Sequence, residues 1–347
     1  MGEHYKSYAE VISALEKKKR KAHLLLGNGF SMAYDQKIFS YNALYDFVSV
    51  LGYAALVKLF EAIKTKNFEL IMGQLELFVA LLDAFESKEG LQDRVREAGV
   101  RLKQSLLDAI GALHPEHVFK IPADRLTRCA EFLNWYLATG GNIFTTNYDL
   151  LLYWVLLMGE VPNHVDGFGR ELLNPVEAKH GEDQEWSELR WGPNQDRQNV
   201  FYLHGALPLF DTGLEIVKEE YTGDSFLVEN ISARLQEGEY PVFVTAGNGD
   251  EKLEHIRHNR YLSFCYDRMC KIEGSLVSFG FNFGDYDLHI IDAINKAAKH
   301  GAKDPDRLWS VYIGVYSPEA ASHIAKIESR FQCKINTFDA KTAPVWD

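Results

Sequence analysis

The residues of this chain best suited to chemistry lie in four short polar segments, each following an apolar run. Gly27-Asn28-Gly29-Phe30-Ser31 follows Ala22-His23-Leu24-Leu25-Leu26. Two glycines there permit a tight turn with the backbone pressed against a ligand, and exposed backbone N–H groups bind phosphate without a lysine. The same turn equally suits a plain structural bend. It lacks the third glycine of the dinucleotide fingerprint and the Gly-Lys-Ser/Thr of a P-loop, which argues against a standard dehydrogenase and an ATPase. Thr145-Thr146-Asn147-Tyr148-Asp149 follows Gly141-Asn142-Ile143-Phe144. It places two hydroxyls, an amide and a carboxylate at a strand's carboxyl end, where open parallel sheets carry their ligand crevice. A helix cap by Asn147 or Asp149 is the other reading. Asn199-Val200-Phe201-Tyr202-Leu203 leads to His204-Gly205, a histidine suited to acid–base work or simply to packing. Ser275 to Phe279 leads into Gly280-Phe281-Asn282-Phe283-Gly284-Asp285-Tyr286-Asp287, again a strand, a glycine turn and a polar helix start. Four coincident strand ends point to one nucleotide pocket.

The elements that must hold these segments read as α/β. Tyr5, Tyr8, Val11, Ile12 and Leu15 keep helical spacing, predicting an amphipathic helix docked beside the first strand. From 41 to 136 the pattern turns helical, as at Leu70, Gln74, Leu77 and Phe78, with His114-Pro115 and Ile121-Pro122 at loop positions. This is a helical insertion or small lobe. The stretch from Pro162 to Asn199 shows no periodicity and reads as a long irregular excursion. Beyond it, strands are expected near 241–246, 275–280, 309–316 and 335–338, with helices near 225–236, 250–272, 285–299 and 318–330. Such alternation implies a Rossmann-like, doubly wound, mainly parallel sheet. Residues 1–347 then form one α/β domain.

In this order the four segments resemble the sirtuin-like NAD-hydrolase domains of bacterial antiphage defence, over most of the chain. Pro241-Val242-Phe243-Val244-Thr245, followed by Lys252-Leu253, Ile256 and Asn259-Arg260-Tyr261-Leu262, is similar to a bacterial subfamily of stand-alone sirtuin-like proteins. The resemblance implies hydrolysis of NAD+ at the nicotinamide–ribose bond, releasing nicotinamide and ADP-ribose. It assigns Asn147 to the nicotinamide ribose and the attacking water, and His204 to a ribose hydroxyl or to the water as general base. Gly27, Asn28, Gly29, Phe30, Ser31 and Thr146 would hold the dinucleotide. Asp149 would steady Asn147 or its turn, and Gly280, Asn282, Asp285 and Asp287 would line the same pocket, an aspartate taking a ribose diol. It further implies a defence effector that depletes NAD, a homo-oligomer, and a partner ATPase such as a HerA-type DNA translocase. An NAD or ADP-ribose sensor, an ADP-ribosyl transferase or cyclase, and a scaffold for the partner ATPase are the competing functions.

The chain departs from the protein-deacylating sirtuins, whose zinc module uses two Cys-x-x-Cys pairs. Its four cysteines, Cys129, Cys265, Cys270 and Cys333, form no such pair, so neither zinc nor another metal is expected. Free thiols suit a reducing cytoplasm. His255, Arg257 and His258 share a polar helical stretch without an acidic ligand in place, while Lys252, Arg257 and Arg260 suit a phosphate or partner contact. A net charge of −12 disfavours nonspecific binding to nucleic acid or an anionic membrane. The basic run Lys17 to Lys21 reads as the solvated end of the first helix, where cations favour the C-terminus. Neither a signal peptide nor a membrane span is expected.

Overall fold

A computed structural model describes residues 5–36, 54–63, 68–85, 90–113, 121–173, 186–221, 227–237, 239, 241–244, 249–299 and 306–347. Its strands are β1 (Ala22–Leu26), β2 (Ile143–Thr145), β3 (Phe168–Gly169), β4 (Arg190–Trp191), β5 (Val200–Tyr202), β6 (Gly205–Asp211), β7 (Ile216–Lys218), β8 (Pro241–Phe243), β9 (Gly274–Phe279), β10 (Leu308–Val315) and β11 (Lys334–Asp339). The chain is a Rossmann-like α/β protein. Six strands, in the order β11-β10-β9-β1-β2-β5, form one sheet in which every pairing is parallel. Counted by their sequence within this sheet they lie 3-2-1-4-5-6, the doubly wound order whose switch point falls between the first and fourth strands. Here those are β1 and β9.

All five residues of β1 are buried, as a central strand covered on both faces requires. Burying each of its leucines contributes about 2 kcal/mol relative to exposure. The helix Tyr8–Lys18 opens with a capping box between Ser7 and Glu10 and ends with Lys17 and Lys18 in its last turn. The Tyr8 ring packs on Phe132 and on Phe338 of β11. The described residues between β1 and β2 after position 53 form the helices Ala54–Ile63, Phe68–Ala84, Leu91–Leu113 and Ala123–Ala138. Within Phe68–Ala84 the phase differs from the expected one, since Ile71 and Leu75 are buried while Leu77 and Phe78 are exposed. Residues 41–53 and His114-Pro115 lie outside the described residues.

The largest correction concerns 162–246. The supposed irregular excursion carries β3 and β4, and the strand expected near 241 does not join the parallel sheet. Both enter a second, antiparallel sheet ordered β3-β4-β7-β6-β8. Two-residue strands cannot show alternation, so local pattern missed them. Trp191 packs on Tyr261 and Phe264, and a partly buried Lys218–Asp166 ion pair ties β7 to the loop before β3. The single helix expected over 250–272 is two, Gly249–His258 and Arg260–Met269, divided where the Asn259 side chain caps the N–H of Leu262 at 3.0 Å. Among the described residues no helix is long and apolar enough to cross a membrane.

Candidate active site

The switch point is closed by glycines. A Cβ on Gly27 would lie 2.6 Å from the Gly280 carbonyl oxygen, and one on Gly29 would lie 2.5 Å from the Gly280 Cα. Gly280 itself has φ +72°, a left-handed conformation that favours glycine. The turns after β1 and β9 therefore touch backbone to backbone. Their donors are spent on one another: Gly27 N–H donates to Phe279 O at 3.0 Å, Gly29 N–H to Gly280 O at 2.8 Å and Phe30 N–H to Gly27 O at 2.8 Å. Of the expected phosphate cradle, the N–H groups of Gly27, Gly29 and Phe30 therefore already have acceptors within the protein. Phe30 is also reassigned: its ring is buried against Trp346, whose Nε1–H donates to Phe30 O at 2.9 Å.

Beside this turn, Ser31, Asn147 and Asp149 bond directly. Ser31 Oγ–H donates to Asp149 Oδ2 at 2.5 Å and accepts from Asn147 Nδ2 at 2.9 Å. Asp149 Oδ1 accepts the N–H of Leu151 at 3.0 Å, so the cap reading of Asp149 also holds. Thr146 N–H donates to Leu26 O at 3.0 Å and fastens the end of β2 to β1, while Asn147 N–H donates to Thr145 Oγ1 at 3.1 Å. Burial pushes the Asp149 carboxyl above its ordinary pKa, with the Ser31 and Leu151 bonds pulling the other way. Because the Ser31 proton is given to Asp149, its oxygen takes the Asn147 NH2. That orients the amide and leaves Oδ1 as the acceptor facing away from Ser31.

His204 stands where the two sheets meet, between β5 and β6. Gly205 makes the passage: its φ is +81°, and a Cβ there would sit 1.8 Å from Val242 O. His204 O accepts the N–H of Val244 at 3.0 Å, and its ring stacks on Tyr148. Thr145 and Tyr202 are register partners on neighbouring strands. Asn147 and His204 each follow two residues later in the chain, past the carboxyl ends of β2 and β5.

The His204 side chain meets a partner that sequence reasoning missed. Its Nε2 lies 2.8 Å from Nε2 of His289, in the first turn of the helix Leu288–Lys299. Next to the pair, the buried Lys252 ammonium donates to Asp287 Oδ1 at 3.0 Å. Burial, then the charge repulsion from His289 and Lys252, holds His204 well below the usual histidine pKa. Burial and Lys252 push His289 down to about 3. Both imidazoles are neutral near pH 7. The signal for His289 was its position two residues past Asp287, where motif reading stopped. Lys252 had been singled out for a phosphate or partner contact and is instead an internal cation. Asn282 and Asp285 are both exposed, and Asp285 pairs with Arg330 at 2.7 Å.

Could a cation sit here? Ligand atoms of His204, Asp287 and His289 all lie within 4.8 Å of one another. The two imidazole nitrogens already face each other in a hydrogen bond, and the Asp287 carboxylate already holds an ammonium. A further positive charge beside Lys252 is disfavoured. The four cysteines are free thiols, Cys129 and Cys265 being buried.

Residues 24–346 match the model of a family described as a domain of unknown function (DUF4917). No curated protein matches the chain.

Proposed function

We propose, for a chain that belongs to the DUF4917 family, cleavage of the nicotinamide–ribose bond of NAD+ by water, giving nicotinamide and ADP-ribose. The observation that carries this reading is an oriented amide, Asn147, and a neutral imidazole, His204, each two residues past the register-paired ends of neighbouring parallel strands beside a doubly wound switch point. Such crevices receive nucleotides. The reaction gathers positive charge on the ribose as nicotinamide leaves. Asn147 Oδ1 supplies an acceptor for a ribose hydroxyl or the incoming water, and holding that water in line removes much of the entropic cost of encounter. A neutral His204 adds no repulsion to the developing cation and contacts the sugar or the water. The sirtuin-like resemblance of the four segments supports the substrate. It also supports the wider reading of a cytoplasmic, homo-oligomeric defence effector that depletes NAD and works with a partner ATPase such as a HerA-type DNA translocase.

The test is nicotinamide release by the purified protein, with and without such a partner. Asn147→Ala and His204→Ala are each expected to lower it about a hundredfold to ten thousandfold, with circular dichroism unchanged. Release unaffected by both substitutions refutes the assignment. The products separate hydrolysis from its neighbours: ADP-ribose for a hydrolase, a cyclic product for a cyclase, and modified protein for a transferase.

A further inference from the structure

The two imidazoles at the junction of the sheets share a single hydrogen bond, and the way they share it restricts what His204 can do. An N···N contact of 2.8 Å holds one proton. With both rings neutral, the donor of that bond carries its proton on Nε2 and has a bare Nδ1, whereas the acceptor has a bare Nε2 and carries its proton on Nδ1. Two arrangements are therefore possible. His289 Nδ1 is buried with no hydrogen-bond partner. Either arrangement leaves one Nδ1–H without a protein acceptor: His289 Nδ1 is fully enclosed, whereas His204 Nδ1 is not among the fully buried atoms that lack a partner. An enclosed N–H without an acceptor is costlier than an enclosed lone pair without a donor, so the bare nitrogen belongs at His289 Nδ1. Its place in the first turn of a helix, with Lys252 alongside, further disfavours a second proton on that ring. The backbone of His289 is held as well, its carbonyl accepting from Tyr266 O–H at 3.1 Å.

We propose that His289 is a positioning residue that donates Nε2–H to His204 Nε2 and so holds His204 as the Nδ1–H tautomer. The His204 lone pair is then spent on His289. What His204 offers to a ligand is a donor, Nδ1–H, which makes no hydrogen bond among the described residues. Of the two roles open to His204, this favours gripping an oxygen of the substrate over removing its proton. The tautomer does not depend on the proposed reaction; only the identity of that oxygen as the ribose or the water rests on the proposed NAD+ cleavage.

Long-range 15N–1H correlation spectra of the histidine side chains test it directly, with His204→Gln and His289→Gln identifying the signals. In the native protein His204 is expected as Nδ1–H and His289 as Nε2–H. In His289→Phe, His204 should shift toward the Nε2–H form that free imidazoles prefer; in His289→Gln, whose amide can donate in the same direction, it should stay Nδ1–H. Nicotinamide release should follow the tautomer, falling at least tenfold in kcat with little change in KM for His289→Phe and recovering to within a few fold for His289→Gln. A native His204 in the Nε2–H form, or a tautomer indifferent to His289→Phe, overturns the proposal. So does a stoichiometric metal retained by the purified protein, because a cation would displace the shared proton. Should His289→Phe fail to fold, the native spectrum and His289→Gln still decide. If the tautomers are as stated but no preparation releases nicotinamide, the NAD+ reading falls and the positioning role stands.

Discussion

His23 on β1 and His204 beyond β5 occupy opposite ends of the same parallel sheet, and burial lowers the pKa of both, His23 to about 4. Their bonds differ. His23 accepts the Asn142 N–H on Nδ1 at 3.0 Å and donates from Nε2 to Glu273 O at 2.9 Å, so both nitrogens are consumed by backbone. His204 bonds another histidine and keeps Nδ1 in reserve. The lysines repeat the contrast. Lys21 pairs with Glu273 at the amino edge, both side chains partly exposed, whereas Lys252 is buried against Asp287 at the carboxyl edge. The amino edge holds a cavity of about 550 Å³ between Glu16, Arg20, Trp135, Glu273 and Trp309. There Glu16 accepts from the Trp135 indole and Arg20 lies over the Trp309 ring. Burial and concavity thus occur at both ends. What sets the carboxyl edge apart is polar side chains bonded to one another while Asn147 Oδ1 and His204 Nδ1 are held back.

Exchanging the two histidines breaks or sharpens this comparison most. His204→Ala should cost about a hundredfold to ten thousandfold in nicotinamide release and little stability. His23→Ala should leave the rate per folded molecule unchanged while destabilising the protein by about 1–3 kcal/mol, because it orphans the Asn142 N–H; denaturant titration beside the activity assay reads both. Equal losses of activity would erase the distinction. Next comes the passage between sheets. Gly205→Ala must displace Val242 O and hold a left-handed φ, and a loss above about 3 kcal/mol is expected in the same titration. The lysines follow: Lys252→Met should cost about 2–3 kcal/mol by stranding Asp287, which is partly exposed, against less than about 1 kcal/mol for Lys21→Met.

The smallest effect is on pH dependence. Neutral buried histidines bind fewer protons than the unfolded chain, whose histidines titrate near 6.5. Stability is therefore full above about pH 6.5 and falls as the pH drops toward 4, the unfolded state being the one that gains protons. His23→Gln should reduce that slope by about one proton, measured from unfolding midpoints between pH 7 and pH 4.5.

Much of the parallel sheet was legible because its strands are apolar runs long enough to be seen and are followed by glycine or by helix caps. β9, β10 and β11 fall within a residue of their expected places. The antiparallel sheet was hidden, since β3 and β4 are two residues each and β8 has the same composition as a parallel-sheet strand. In the site, Asn147, Asp149, Ser31 and His204 stood out as polar residues at strand ends, and the structure bonds the first three together. Gly27, Gly29 and Gly280 stood out for the same reason, yet their missing side chains make room for one another. Composition shows that a glycine is needed and not what approaches it.

The sequence by itself determined which segments become the strands of the parallel sheet, where those strands end, and which polar side chains stand at those ends. Those properties depend on residues within a few positions of one another. Only the tertiary structure decided that the glycine turns close on each other, that Lys252 lies inside, and that His204 meets a histidine 85 residues away. Each of those is a contact between distant segments, set by the order of the strands and the packing of the helices. No local pattern carries that order.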